Sequence, residues 1–121
     1  MSTVLVVDAD ESIGLLLEMM LRRAHFHVIT ASTGSQAVEL AQSVQPDVIV
    51  VDERVSEIPI ADVCLHLKKD PRTRHIPIML STDVISQNLP AHARHIGADG
   101  VLGKPFRGDD VLVALKELLP H

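Results

Sequence analysis

The sequence predicts an α/β fold: a doubly wound, five-stranded parallel sheet with helices on both faces. Three observations carry this. Short apolar runs alternate five times with longer segments of helical period. The runs at 4–7 and 48–51 are apolar at every position, as in strands covered on both sides. Parallel neighbours need crossover connections, and right-handed crossovers place helices on either face.

The elements follow in order. Residues 4–7 form a first strand that runs into Asp8. Ile13, Leu16, Leu17, Met20 and Leu21 then recur at helical spacing. A β-branched run at 28–30 is the second strand. Ala37, Leu40, Ala41 and Val44 give a second helical stripe, closed by Pro46. Residues 48–51 are the third strand, ending at Asp52. Ile60, Val63, Cys64 and Leu67 mark a third helix, stopped by Asp70 and Pro71. The fourth strand reads as 76–80, leading into Ser81. A fourth helix falls within 87–96, before Gly97, and a brief fifth strand at 101–102 precedes Gly103 and Lys104. Val111, Leu112, Leu115, Leu118 and Leu119 form the last helix, with Asp109 and Asp110 suited to the positive end of its dipole.

Composition narrows the function. A chain of 121 residues fits one domain, 1–121, and leaves no room for an effector domain. Apolar residues at 46% are enough for a core, and charged residues at 22% argue against disorder. The net charge of −5, with no basic run longer than a pair, argues against direct nucleic-acid binding. The single cysteine excludes an internal disulfide, and no segment has the length of a membrane span or the pattern of a signal peptide. A cytoplasmic protein without membrane contact is expected.

Open parallel sheets carry their sites beyond the carboxyl ends of the strands. Asp8, Asp52, Ser81 and Lys104 follow strands one, three, four and five, so two carboxylates, a hydroxyl and an ammonium converge on one edge. That set suits phosphoryl transfer: a carboxylate as nucleophile, a divalent metal to offset charge, and the hydroxyl and ammonium to bind phosphoryl oxygens.

The stretches VLVVDADES (4–12), QPDVIVVD (45–52), CLHLKKDPRTRHIPIMLS (64–81) and GADGVLGKPF (97–106), in this order and spacing, resemble the receiver domains of two-component response regulators over essentially the whole chain. The resemblance implies a flavodoxin-like (βα)5 sandwich with strand order 2-1-3-4-5. It implies a phosphoprotein in which Asp52 accepts a phosphoryl group from a histidine kinase or phosphotransfer protein and switches contacts with an output partner. It also implies Mg²⁺ held by Asp8 and Asp52, phosphoryl contacts from Ser81 and Lys104, and a cis bond before Pro105. No turnover of small substrates is implied.

Four positions depart from that family. Ala9 stands where a second acidic metal ligand is usual, so Mg²⁺ binding is expected to be weak, with Asp10 a substitute only if its loop bends inward. An N-terminal helix carboxylate is the commoner role for Asp10. Val101 replaces a frequent switch aromatic, Pro90 confines the start of the fourth helix, and Ser56 and Ile60 replace a usual proline and glycine. These departures motivate an alternative, a pseudo-receiver acting as a phosphorylation-independent binding module. The Asp8-Ala9-Asp10 spacing also resembles the paired aspartates of haloacid dehalogenase-like phosphatases. The final acidic motif of that class is matched only by Asp109 and Asp110, which open a helix, and no cap domain fits. Flavin binding lacks a glycine-rich or aromatic loop. His92 and His95, three residues apart without a third ligand, read as exposed helix residues. His25 and His27 read as solvent-facing, Cys64 as buried, and the basic stretch from Lys68 to Arg74 as a solvated loop.

Overall fold

The computed structural model describes residues 2–84 and 86–119, so both ends of the 1–121 domain assignment lie outside the described residues. Five parallel strands, β1 (Thr3–Val7), β2 (His27–Ala31), β3 (Val48–Asp52), β4 (Ile78–Thr82) and β5 (Gly100–Gly103), form one sheet in the order 2-1-3-4-5. Helices α1 (Glu11–Arg23), α2 (Gly34–Val44), α3 (Ile60–Lys69), α4 (Leu89–Ile96) and α5 (Gly108–Leu118) alternate with them.

Strand alternation divides the core in two. Val4, Val6, Val48, Val50, Met79 and Leu102 pack on one face, with Leu17 and Leu21 of α1 and Val111 and Leu115 of α5. Leu5, Val7, Ile49, Val51, Ile78 and Leu80 pack on the other, with residues of α2, α3 and α4. Every residue of β3 and β4 is buried, as expected of strands covered on both sides.

Local chemistry sets the helix ends. The Asp10 carboxylate accepts from the Ser12 and Ile13 amides, and Arg22 and Arg23 sit at the negative end of α1. Thr33 caps α2 through the Gln36 amide. Asn88 caps α4 through the Ala91 amide, and Pro90 lies in its first turn, where the missing N–H costs nothing. Helix α4 is therefore short, as Pro90 predicts, and it closes on Gly97 in the left-handed region (φ 109°).

Strand β4 begins two residues later than the apolar run indicates. Ile76 is buried, but its amide donates to Thr73 O in a turn, and Pro77 has no N–H for the ladder. Ser81 and Thr82 thus belong to the strand itself. The basic stretch is also more structured than a solvated loop. Lys68 and Lys69 close α3, Lys68 pairs with Asp99 at 2.7 Å, and buried Thr73 donates to Leu67 O at 2.7 Å. Cys64 is buried as expected, and burial pushes its thiol up to about 11. His25 and His27 are exposed. No described helix is long and apolar enough to cross a membrane.

Gly34 opens α2 where a side chain has no space. A Cβ there would lie 2.9 Å from Val63 Cγ2 and 3.2 Å from the Ile58 carbonyl oxygen. Gly34→Ala is expected to lose about 1–3 kcal/mol in urea unfolding. An unchanged midpoint and slope would contradict this packing.

Candidate functional site

Alternation continues past the strand ends and decides what meets at the rim. Asp52 extends the Val48, Val50 row, Ser81 follows Met79, Lys104 follows Leu102 and Asp8 follows Val6. All four belong to the face shared with α1 and α5. Register brings them level: Val6 pairs with Val50, Asp52 with Ser81, and Ser81 with Leu102.

Lys104 Nζ lies 3.3 Å from Asp8 Oδ2 and 3.1 Å from Asp52 Oδ2. The two carboxylates are bound alike. Asp8 Oδ1 accepts from the Asp10 amide at 2.9 Å, and Asp52 Oδ1 from the Arg54 amide at 3.2 Å. Each thus turns one oxygen to a backbone N–H two residues ahead and the other to the lysine. Lys104 is fixed by its own amide, which donates to Thr82 O at 2.7 Å, and the Lys104–Pro105 peptide is cis.

Asp8 and Asp52 are only 5% and 3% exposed. Burial holds the Asp8 carboxyl above its usual range, and the charge of Asp52 adds to this. The Asp10 amide and Lys104 oppose the rise. Ser81 is 1% exposed, and its hydroxyl has no hydrogen-bond partner among the described residues. Such a hydroxyl costs about 1–3 kcal/mol if left unpaired, so a site that acquires an oxygen-rich ligand satisfies it.

Two buried carboxylates are hard oxygen ligands of the kind Mg²⁺ takes, and Mg²⁺ retains several waters. Ala9 adds no ligand. Asp10 spends Oδ1 on the helix cap, and no cluster of three or more metal-ligating side chains occurs among the described residues. The residues fit Mg²⁺ as a site of two carboxylates completed by water.

Sequence reasoning missed what lies beside these residues. His92 is not simply exposed: Nε2 lies 2.7 Å from Glu53 Oε1, which also accepts from the buried Thr82 hydroxyl at 2.9 Å. Arg54 pairs with Asp83 at 3.3 Å across the mouth of the site. His95 remains exposed. Strand alternation is the one signal that could have placed Glu53 and Thr82 at this rim, and nothing in the sequence points to His92 as their partner.

The model of the response regulator receiver domain family matches residues 4–116, and the chain belongs to that family. It is a receiver domain of the two-component signalling class. It is 34% identical over 116 residues to the alkaline phosphatase synthesis transcriptional regulatory protein PhoP of Bacillus subtilis, covering 96% of this chain and 48% of PhoP. It is 36% identical over 110 residues to the response regulator PleD of Caulobacter vibrioides, covering 91% of this chain and 24% of PleD. The chain therefore spans about half or less of these relatives. Its fold superposes on the chemotaxis response regulator CheY4 of Vibrio cholerae with a TM-score of 0.90 at 28% identity, covering 98% of this chain and 99% of CheY4. The PA1611 receiver domain of Pseudomonas aeruginosa, solved with magnesium in its active-site cleft, shares the fold at 23% identity and a TM-score of 0.88, covering 97% of this chain and 96% of that one.

Lys104→Met leaves two buried carboxylates facing each other without a cation. In metal-free buffer it is expected to lose about 3 kcal/mol at about pH 8. The folded chain holds the Asp8 proton to higher pH than the unfolded chain, so this group's contribution falls as pH rises above its ordinary value of 3.8. Removing Lys104 widens that interval, and the deficit should shrink toward about pH 5. Equal deficits at both pH values in chemical denaturation would contradict the arrangement.

Proposed function

We propose that Asp52 accepts a phosphoryl group from a phosphohistidine on a histidine kinase or phosphotransfer protein. The single observation that carries this is Lys104 Nζ within 3.1 Å of the Asp52 carboxylate on a rim where the buried Ser81 hydroxyl has no partner among the described residues. A carboxylate oxygen of Asp52 attacks phosphorus while the bond from phosphorus to the donor nitrogen breaks and the imidazole leaves. Lys104 and Ser81 then have phosphoryl oxygens to donate to. Asp8 and Asp52 would hold Mg²⁺, and the ion when bound supplies positive charge that offsets carboxylate and phosphoryl oxygens. Ala9 makes that binding weak. The chain receives a phosphoryl group and does not turn over small substrates. Its output is a changed affinity for a protein partner in the cytoplasm, and its acidic balance weighs against direct contact with nucleic acid.

The donor must cover the groove beside the site, lined by Ile13 and Leu16 of α1 together with Arg54, Asp83, Lys104 and Phe106. Leu15, Leu16 and Met19 are about half exposed on the same helix. An apolar surface flanking Asp52 suits a helical donor carrying its histidine to the rim.

Acetyl phosphate with Mg²⁺ is expected to add one phosphoryl group, seen by mass, that disappears in Asp52→Asn and in excess chelator. No adduct on the unaltered chain at saturating donor would favour the phosphorylation-independent module. Ala9→Asp should tighten Mg²⁺ binding at least about tenfold, because a further carboxylate about 4 Å from a dication contributes on the order of 2 kcal/mol even in water. Leu16→Glu should slow transfer from a phosphohistidine protein while leaving the acetyl phosphate reaction intact. Equal slowing of both reactions would refute the docking surface.

A further inference from the structure

The rim carries two rows of side chains, and only one faces α1 and α5. Glu53 and Thr82, each next in chain to a site residue, belong by alternation to the opposite face, that of α2, α3 and α4. There Glu53 Oε1 is a focus. It accepts from Thr82 Oγ at 2.9 Å and lies 2.7 Å from His92 Nε2 on α4. The Thr82 hydroxyl in turn accepts from the Val84 amide at 3.0 Å. Thr82 is 1% exposed, and the side chains of His92 and Glu53 are about three-quarters buried, so the contact is partly shielded from water.

The same peptide units serve both rows. The Glu53 amide donates to Ser81 O at 2.9 Å, and the Lys104 amide donates to Thr82 O at 2.7 Å. A group on Asp52 that drew the Ser81 hydroxyl and the Lys104 ammonium toward itself would pull on the backbone from which Glu53 and Thr82 project. Helix α4 is lightly packed, with Ile96 resting partly buried against the core beside Ala93. It has eight residues, and Ala93 is its one buried residue. With so few buried residues, a hydrogen bond from a largely buried imidazole to a carboxylate adds substantially to its attachment.

We propose that the Glu53–His92 contact couples the phosphoryl site to α4, so that occupation of Asp52 changes how firmly α4 is held. The inference rests on the phosphorylation of Asp52 for its trigger, while the contact itself exists without it. Val101 offers no aromatic ring to carry such a signal, and a polar chain from Glu53 to α4 supplies another route. Glu53 and His92 are positioning residues, since neither touches the Asp52 carboxylate.

Coupling between two sites is reciprocal: a contact whose strength depends on occupation of Asp52 must also alter what Asp52 binds. The test uses the full chain with beryllofluoride and Mg²⁺ as the phosphoryl probe. Binding is read by fluorine NMR and α4 stability by amide hydrogen exchange. In the free chain, Glu53→Ala and His92→Ala should speed exchange of the α4 amides, and His92→Gln, which keeps an N–H donor, should restore protection. The apparent beryllofluoride affinity should change about fivefold or more in both alanine variants, no further in the double variant, and return toward the original value in His92→Gln. Loosened α4 with unchanged affinity reduces the contact to a static pin and overturns the proposal, as does unaltered α4 exchange. Failure of the unaltered chain to bind beryllofluoride overturns the reading of Asp52 itself. The fluorine signal separates that result from a failure of coupling, because it is read independently of α4.

Discussion

An ammonium held between two buried carboxylates is the interaction on which this structure turns. Asp8 and Asp52 sit on adjacent strands with almost no exposure, where like charges repel and burial penalises both. Lys104 relieves this from β5, separated from β3 by β4. The cluster exists only if β1, β3, β4 and β5 lie in one register. A one-residue slip of any of them would turn its site residue to the opposite face. The order of the sheet and the chemistry of the rim are thus one constraint.

Strand alternation also separates two tasks at the same edge. The row facing α1 and α5 carries Asp8, Asp52, Ser81 and Lys104, and the row facing α4 carries Glu53 and Thr82. Adjacent residues in β3 and β4 share peptide units across this divide, so chemistry on one face and helix attachment on the other cannot be mechanically independent. Strands β3 and β4 are buried throughout, and close-packed interiors of this kind transmit strain rather than absorb it.

Much of this was legible in the sequence, for identifiable reasons. Apolar runs and their polar end residues named Asp8, Asp52, Ser81 and Lys104, because a parallel sheet forces strand ends together. Pro90 and Gly97 marked the ends of α4, because backbone chemistry acts locally. The start of β4 was misplaced because Ile76 is buried like a strand residue while serving a turn. The role of His92 was hidden because its partner lies 39 residues away, and helical spacing says only which residues share a face. Lys68 was read as solvated for the same reason, its partner Asp99 being 31 residues distant.

Ala9 acquires a physical meaning from this arrangement. With both carboxylates ionised, Lys104 leaves the pocket one unit negative; an acidic residue at position 9 would add a further negative charge to a site whose burial already favours protonation of Asp8. On the proposed reading of the site, the alanine spares the metal-free pocket that charge at the expense of cation affinity. A phosphoryl group brings close to two negative charges. On the proposed reading, its arrival on Asp52 would give Lys104 a stronger acceptor than either carboxylate and would give Ser81 a partner that it does not find among the described residues. In a pocket with one fewer carboxylate, the pull of a phosphoryl group on the lysine and the serine is a larger share of the total, and both of those residues are tied through Thr82 and Glu53 to the far side of the sheet.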